Sequence, residues 1–252
     1  MHILISNDDG VFAPGILALA REAKRAGHRV TVCAPDSQRS AASHAASLTR
    51  ALQLRRVALE DDIEAYSVDG TPADCVRLGL YIMRNEGVDC VLSGVNNGPN
   101  RGAAILYSGT VAAAMEASMC GVPAVAASLC GYDNQNIADY AAAARLAVRT
   151  AEWAMAHPLP RGEIYNLNVP EGMPIKGLRS ASVSYEFICE AEMEELGEGR
   201  YRLKNSPNVL PETDAGSDLL LNQAGYASLS VLTWNLQAAT PVPELAALQA
   251  DI

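Results

Sequence analysis

The sequence lacks the features that mark several common protein classes. Aromatic residues make up only 5% of the 252 residues, which is too few for the stacking platforms typical of proteins that bind single-stranded nucleic acid. The formal net charge of −10 argues against a surface for a nucleic-acid polymer or an anionic membrane, because both are negatively charged. A small phosphorylated substrate is still compatible with this charge, since a bound cation can reverse the local sign.

Motifs for zinc, redox chemistry and membrane insertion are also missing. None of the six cysteines belongs to a Cys-x-x-Cys pair, and most lie in apolar segments, as buried free thiols of a reducing compartment do. The chain has no apolar run of about 18 residues and no charged-then-apolar leader. We therefore expect a soluble, cytoplasmic protein.

The common signatures of nucleotide binding and of serine hydrolases are absent. There is no G-x-G-x-x-G, no G-x-x-x-x-G-K-[ST] and no G-x-S-x-G segment. Only four histidines occur. One of them, His44, follows a polar loop and is the single histidine that we consider for a functional role. The chemistry is therefore expected to depend on carboxylates and on water bound to a metal ion.

An alternation of strands and helices dominates the first two-thirds of the chain. Residues 2–6, 14–25 and 29–34 have the pattern of strand, helix and strand, which predicts a βαβ unit with parallel strands. The fold class is predicted to be α/β, a Rossmann-like open, mostly parallel sheet with helices on both faces. Further strands are predicted at 52–68 (two runs), 88–93, 123–128 and 164–170, and further helices at 71–85, 109–120, 137–155 and 241–252.

The last third of the chain has a different character. Residues 1–170 are expected to form the catalytic core, and residues 171–252 an accessory region that completes the sheet and is used in oligomerisation. A protruding β-hairpin is predicted around Gly197-Glu198-Gly199. Its acidic residues are interpreted as a solvated surface, with an oligomer contact as the alternative.

Three polar loops follow apolar strands and are expected to meet at one edge of the sheet. They are 7–10 (Asn-Asp-Asp-Gly), 35–40 (Pro-Asp-Ser-Gln-Arg-Ser) and 93–102 (Ser-Gly-Val-Asn-Asn-Gly-Pro-Asn-Arg-Gly). Ligands of open α/β sheets bind at the carboxyl ends of the strands. Their carboxylate, hydroxyl and amide oxygens are the ligands that a hard cation such as Mg²⁺ or Mn²⁺ prefers.

The adjacent acids Asp8 and Asp9 can share a site only if the strand has ended between them, because neighbouring side chains of a strand point to opposite faces. Gly10 and Pro14 are consistent with such an end. The alternative interpretation is a helix-capping turn with solvated acids. Further along, Ser108 or Thr110 is positioned to cap an alanine-rich helix, and a helix N-terminus can bind an anion. Capping alone is the alternative there.

Five segments together resemble the SurE family of metal-dependent nucleotidases, the survival proteins. Order and spacing match over about the first 130 residues, and the likeness extends more weakly to about residue 233. The five segments are ILISNDDGVFAPGI, APDSQRSA, GTPADCVRL, LSGVNNGPNRG and YSGTVAAAMEA.

The resemblance implies hydrolysis of nucleoside monophosphates to nucleoside and phosphate with one divalent cation, Mg²⁺ or Mn²⁺, per subunit. It also implies cytoplasmic homodimers or homotetramers that exchange C-terminal segments. Asp8, Asn96 and Ser108 would be catalytic. The implied metal ligands are Asp8, Asp9, Ser40 and Asn96, and the implied substrate-binding residues are Asn7, Asn100, Ser108, Gly109 and Thr110, with Asn7 supporting the first loop.

Some positions depart from the family pattern. Ala103 and Ala104 stand where the family usually has an acid, and residues 41–51 are unusually rich in alanine. A homologue acting on another phosphate ester or on polyphosphate, or a non-catalytic nucleotide sensor, therefore stays an alternative. So do a phosphatase with an aspartyl nucleophile and a nucleotide-sugar transferase. The preferred nucleotide, the 5′ or 3′ phosphate, the metal and the choice between dimer and tetramer stay open.

Overall fold

A computed structural model describes residues 1–60, 63–132, 134–172, 174–185, 192–204 and 214–237. Within these ranges no helix has the length and apolar character needed to cross a membrane. The helices are α1 Pro14–Arg25, α2 Pro72–Ile82, α3 Gly109–Met119, α4 Ala141–Ala156 and α5 Asp218–Gln223, with 3₁₀ turns at Gly102–Tyr107 and Ile137–Tyr140.

Most of the strands belong to one nine-stranded sheet. The strands are β1 His2–Ser6, β2 Arg29–Pro35, β3 Leu54–Glu60, β4 Ile63–Val68, β5 Cys90–Asn97, β6 Ala124–Cys130, β7 Glu163–Pro170, β8 Leu178–Ser180, β9 Glu192–Gly197, β10 Arg200–Lys204 and β11 Ala227–Thr233. The sheet order is β3-β4-β2-β1-β5-β6-β7-β11-β8, and β9 and β10 form a separate hairpin.

The centre of the sheet, from β4 through β2, β1, β5 and β6 to β7, is parallel. Strands β3 and β11 are antiparallel to their neighbours β4 and β7, and β8 is parallel to β11. This confirms the predicted α/β fold with an open, mostly parallel sheet.

Helices cover both faces of the sheet, which explains why the central strands are buried and largely apolar. Ile3 and Ile5 point to one face and pack in the core that includes residues of α1 and α4, whereas Leu4 points to the other face, where α2 and α3 contribute. Every residue of β1 is buried. A parallel strand with helices on both sides has no solvent-facing side, so it does not alternate between apolar and polar residues.

Several boundaries differ from the sequence prediction. Strand β5 begins at Cys90 and continues to Asn97, because Asn96 and Asn97 pair with Ser128 and Leu129 of β6 beyond a register shift. The predicted helix at 137–155 begins as the 3₁₀ turn and becomes α-helical at Ala141. The predicted hairpin is present as β9 and β10. The predicted helix 241–252 lies outside the described residues.

Candidate active site

The three polar loops meet at the carboxyl edge of the sheet. They follow β2, β1 and β5, which are neighbours in the sheet. The backbone N–H of Arg39 donates to the carbonyl of Asp8 over 2.7 Å, and the backbone N–H of Asn97 donates to Oδ2 of Asp9 over 3.2 Å. The first loop therefore contacts both of the others, as the strand order predicts.

Asn7 closes the first loop into a tight turn. Its buried side chain donates from Nδ2 to the carbonyl of Gly10 over 3.0 Å and accepts from the N–H of Gly10 over 3.2 Å. Gly10 has a φ of +106°, a conformation that L residues with a side chain rarely adopt. The turn ends the extended backbone at the acidic pair, so two adjacent carboxylates can reach the same edge of the sheet.

Asp8 lies against the N-terminus of α3. Its side chain is buried, and its Oδ1 accepts a hydrogen bond from the hydroxyl of Thr110. Burial raises the pKa of Asp8, while the Thr110 hydroxyl and the backbone N–H groups of Gly109 and Thr110 act to lower it. The approach requires glycine at position 109, because a Cβ there would lie 2.7 Å from the Cβ of Asp8.

Asp9 is half-buried beside Asp8. Burial and the negative charge of Asp8 raise the pKa of Asp9 to about 6, against a lowering contribution from the N–H of Asn97. No lysine or arginine of the described ranges is among the main groups that shift either carboxyl pKa. Two neighbouring acids placed away from water without a positive partner are unfavourable, and a divalent cation between them would remove that penalty.

The other two candidate metal ligands lie in the two neighbouring loops. Asn96 is half-buried at the end of β5, and its Nδ2 donates to the carbonyl of Gly98 over 2.7 Å. This bond orients the amide, whose carbonyl oxygen is the atom able to coordinate a cation. Ser40 is exposed in the second loop and accepts from Nε2 of Gln38 over 2.9 Å. The contact of its loop with Asp8 is made by the backbone of Arg39.

The chemistry of these donors fits a hard cation. The described ranges contain no group of three or more His, Cys, Asp or Glu able to hold a metal ion. A site here would therefore combine two carboxylates with amide and hydroxyl oxygens, the set that Mg²⁺ or Mn²⁺ accepts and softer metals do not prefer.

The proposed substrate-binding residues fall into two groups. Ser108, Gly109 and Thr110 form the first turn of α3, where the Ser108 hydroxyl caps the helix by accepting from the N–H of Val111 over 3.1 Å. Asn100 is 6% exposed, and its Nδ2 donates to the hydroxyl of Ser128 over 2.8 Å. The first group contacts Asp8 directly, whereas the Asn100 side chain is engaged with β6.

Comparison with known proteins identifies the family of this chain. The family model described as "Survival protein SurE" matches residues 3–190. The "5'-nucleotidase SurE" of Clostridium beijerinckii is 39% identical over 240 residues, which cover 92% of each chain, and that of Legionella pneumophila is 41% identical over 239 residues, which cover 92% of this chain and 90% of the other. The chain belongs to the SurE family.

A solved structure supports the same assignment. The crystal structure of the SurE protein from Aquifex aeolicus superimposes with a TM-score of 0.78 at 31% identity, covering 94% of this chain and 95% of the other. The family resemblance of the sequence is thus confirmed, and the solved structure agrees with the predicted α/β fold.

In this SurE-family chain, a buried network of amides that was not predicted from the sequence lies behind the third loop. The backbone N–H of Asn100 donates to Oδ1 of Asn168 over 2.8 Å, and the Asn100 carbonyl accepts from Asn166 and Asn168 over 2.9 and 3.0 Å. Asn166 and Asn168 are two residues apart on β7, so they share a face. Two asparagines at this spacing in an otherwise apolar strand are the signal that could have revealed them.

A second missed feature is a buried acid farther along α3. Glu116 is 3% exposed; its Oε2 lies 2.8 Å from Nε2 of His44, and its Oε1 accepts from Nε of Arg77. Burial acts to raise the pKa of Glu116, but these two partners outweigh it and hold the pKa below its ordinary value. His44 was singled out in the sequence; Glu116 and Arg77 were not, because they are far from it along the chain.

Proposed function

We propose that this chain is a metal-dependent phosphomonoesterase that hydrolyses nucleoside monophosphates to nucleoside and phosphate, a 5′-nucleotidase. The observation that carries the proposal is the Asp8–Asp9 pair, two neighbouring carboxylates with raised pKa values at the carboxyl edge of the sheet. Its relatives' name, "5'-nucleotidase SurE", supports the substrate class.

We infer that Asp8, Asp9, Ser40 and Asn96 hold one Mg²⁺ or Mn²⁺ ion per subunit. When bound, such an ion supplies positive charge for the phosphoryl oxygens and lowers the pKa of coordinated water. The chain itself fixes the donors. Asn7 sets the turn that carries both acids, and Gly98 orients the amide of Asn96.

Asp8 is assigned as the group that accepts the proton of the attacking water. Its carboxylate is buried and has a raised pKa. The hydroxyl of Thr110 donates to Oδ1 of Asp8, and this bond fixes the orientation of the carboxylate and therefore the position of Oδ2. Asn96 and Ser108 are the further catalytic groups, at the end of β5 and at the cap of α3.

The substrate phosphate is assigned to the first turn of α3 and the third loop. The backbone N–H groups at a helix N-terminus favour an anion, and Ser108, Gly109 and Thr110 form that terminus beside Asp8. Asn100 holds the third loop in place through its bonds to β6 and β7. Asn7 contributes by fixing the first loop.

Phosphate release from nucleoside 5′- and 3′-monophosphates and from polyphosphate, with Mg²⁺, with Mn²⁺ and with a chelator, tests this proposal. We expect metal-dependent release from nucleoside 5′-monophosphates. Release only from another phosphate ester or polyphosphate would favour the divergent homologue. Nucleotide binding without any release would favour a sensor, for which Ala103 and Ala104 in the 3₁₀ turn before Ser108 are the supporting observation.

We further propose that residues 1–170 carry the reaction, and that residues 171–252 serve assembly into a homodimer or homotetramer with exchanged C-terminal segments. The hairpin β9–β10 exposes Met193, Tyr201 and Leu203, each more than half exposed, and Met193 and Leu203 pair across the two strands, so the apolar side chains are grouped rather than scattered. Light scattering of the full chain and of a variant with these three residues changed to serine measures the assembly. A lower mass for the variant supports the role of the hairpin.

We propose a cytoplasmic location, because the buried cysteines are free thiols. Cys33, Cys75 and Cys90 are free and buried, as expected where thiols stay reduced. Fractionation of cells that produce the full chain measures the location directly.

A further inference from the structure

The loop that carries Ser40 is held at several points. We call residues 36–47 the Ser40 loop. On one side of Ser40, the N–H of Arg39 donates to the carbonyl of Asp8 over 2.7 Å. On the other side, Ser43 donates from its N–H to the carbonyl of Tyr107 over 3.0 Å and from its hydroxyl to the carbonyl of Leu106 over 2.7 Å. The position of Ser40 is therefore set by contacts of its neighbours.

Two residues beside Ser40 have an unfavourable backbone conformation. Ala41 and Ser43 have φ angles of 56° and 53°, in the left-handed region that residues with a side chain rarely occupy. Such residues persist when surrounding contacts determine the conformation, and they are found preferentially at functional sites. The Ser40 loop therefore needs anchors strong enough to maintain it.

A further anchor, made by a side chain, follows directly after Ser43. Nε2 of His44 lies 2.8 Å from Oε2 of Glu116, a carboxylate that is 3% exposed on α3. The helix that carries Glu116 begins at Gly109 and Thr110, which contact Asp8. The pair thus joins the Ser40 loop to the same rigid element that positions the first loop.

Arg77 of α2 is the second partner of Glu116, and it provides a control for experiments on the His44–Glu116 pair. Arg77 donates from Nε to Oε1 of Glu116. Both His44 and Arg77 compensate the buried carboxylate, but only His44 belongs to the Ser40 loop. Losing either one leaves the acid less well satisfied, which costs stability in both cases. Of the two losses, only that of His44 removes a contact of the Ser40 loop itself.

We propose that His44 and Glu116 are positioning residues, which hold the Ser40 loop so that the Ser40 hydroxyl is presented to the cation beside Asp8 and Asp9. This inference rests on the proposed metal site. Residues that orient ligands from outside the coordination sphere affect metal affinity by roughly tenfold to a hundredfold when changed. A role of the pair in stability alone would leave metal affinity unchanged.

Mn²⁺ binding to the metal-free full-length protein, measured by calorimetric titration, tests the proposal. We expect His44→Ala to weaken Mn²⁺ binding about tenfold. His44→Gln should restore most of the affinity, because its amide nitrogen can donate to Glu116. Arg77→Ala should lower the melting temperature but leave Mn²⁺ affinity close to that of the wild type.

A second histidine–glutamate pair provides the matched control. Nε2 of His28 lies 3.0 Å from Oε1 of Glu152, away from the three loops, so His28→Ala should not affect Mn²⁺ binding. Hydrogen exchange gives an independent readout, since the N–H of Ser43 should exchange faster in His44→Ala and not in Arg77→Ala.

The outcomes separate this inference from the proposed function. If the wild type binds Mn²⁺ and His44→Ala binds it equally well, the positioning role is wrong and the metal site stands. Equal losses of affinity in His44→Ala and Arg77→Ala would also overturn it, because the effect would then follow from the buried charge. If the wild type binds no Mn²⁺, the proposed metal site fails and the inference fails with it.

Discussion

The hydroxyl of Thr110 donates a hydrogen bond to the carboxylate of Asp8, and this contact connects the end of β1 to the N-terminus of α3. The two residues are 102 positions apart in the sequence. The bond places the acid assigned to proton transfer beside the helix end assigned to the phosphate. Through this bond, Thr110 holds the two parts of the proposed site in position relative to each other.

Replacing Thr110 by valine removes this donor while keeping the shape of the side chain. We expect metal-dependent phosphate release to fall by about tenfold to a hundredfold, because Asp8 loses its orienting partner. The free energy of unfolding should fall by roughly 1–3 kcal/mol, since a buried carboxylate oxygen loses a hydrogen bond. Steady-state kinetics and urea unfolding measure the two effects. Thr110→Ser retains the hydroxyl, and full activity loss in that variant would contradict the role of the bond.

Gly109→Ala tests how closely α3 must approach the first loop. The new Cβ would lie 2.7 Å from the Cβ of Asp8 and 3.0 Å from the Cγ of Pro72, so the helix or the loop must shift. Overpacking of this kind costs about 1–3 kcal/mol. We expect lower stability in urea unfolding and a loss of phosphate release. A variant with unchanged kinetics would show that the spacing between helix and loop has little effect on the reaction.

Asn168→Ala tests the amide network behind the third loop. The substitution removes both the acceptor of the Asn100 N–H and one donor to the Asn100 carbonyl. Buried polar groups without partners cost about 1–3 kcal/mol each, so the free energy of unfolding should fall by about that amount or more. Hydrogen exchange should show faster exchange at Asn100 specifically. Destabilisation without a change at Asn100 would contradict the anchoring role of Asn168.

The Glu116 cluster predicts a dependence of stability on pH. The Glu116 pKa is lowered from 4.5 in the folded protein, where His44, Arg77 and Cys120 face it. A lowered pKa means that the unfolded chain binds the proton first as pH falls. The contribution to stability is therefore present above about pH 4.5 and is lost as pH falls through the folded pKa.

Urea unfolding of the wild type and Glu116→Gln between pH 5 and about pH 3 measures this contribution. We expect the wild type to be more stable than the variant at pH 5, with a difference that shrinks on acidification. A difference that is constant over this range would show that the Glu116 charge does not contribute to stability. Glu152→Gln, at an exposed position, is the control and should show little effect at either pH.

Much of the site could be predicted because it depends on strand order. In a parallel sheet the ends of neighbouring strands lie together, so the contacts of the loops at Asp8, Arg39 and Asn97 follow from a βαβ pattern. The capping role of Ser108 follows from local sequence in the same way. These parts of the structure are determined by short-range signals.

The remaining features depend on contacts between distant segments. Nothing near Glu116 in the sequence indicates that a histidine 72 positions earlier approaches it. Strand β8 was not predicted because it lies at the edge of the sheet and has only three residues, all of them exposed. Strand β11, which lies between β7 and β8, was not predicted either. The extension of β5 to Asn97 depends on pairing with β6, which no pattern within β5 itself indicates.

We propose that the Asp8–Asp9 pair holds the cation that phosphate release requires. The most direct test is phosphate release from nucleoside 5′-monophosphates at increasing Mn²⁺, comparing the wild type, Asp8→Asn and the exposed charge-matched control Glu86→Gln. The proposal predicts metal-dependent release by the wild type and Glu86→Gln and its loss in Asp8→Asn. Full metal-dependent release by Asp8→Asn would contradict the claim.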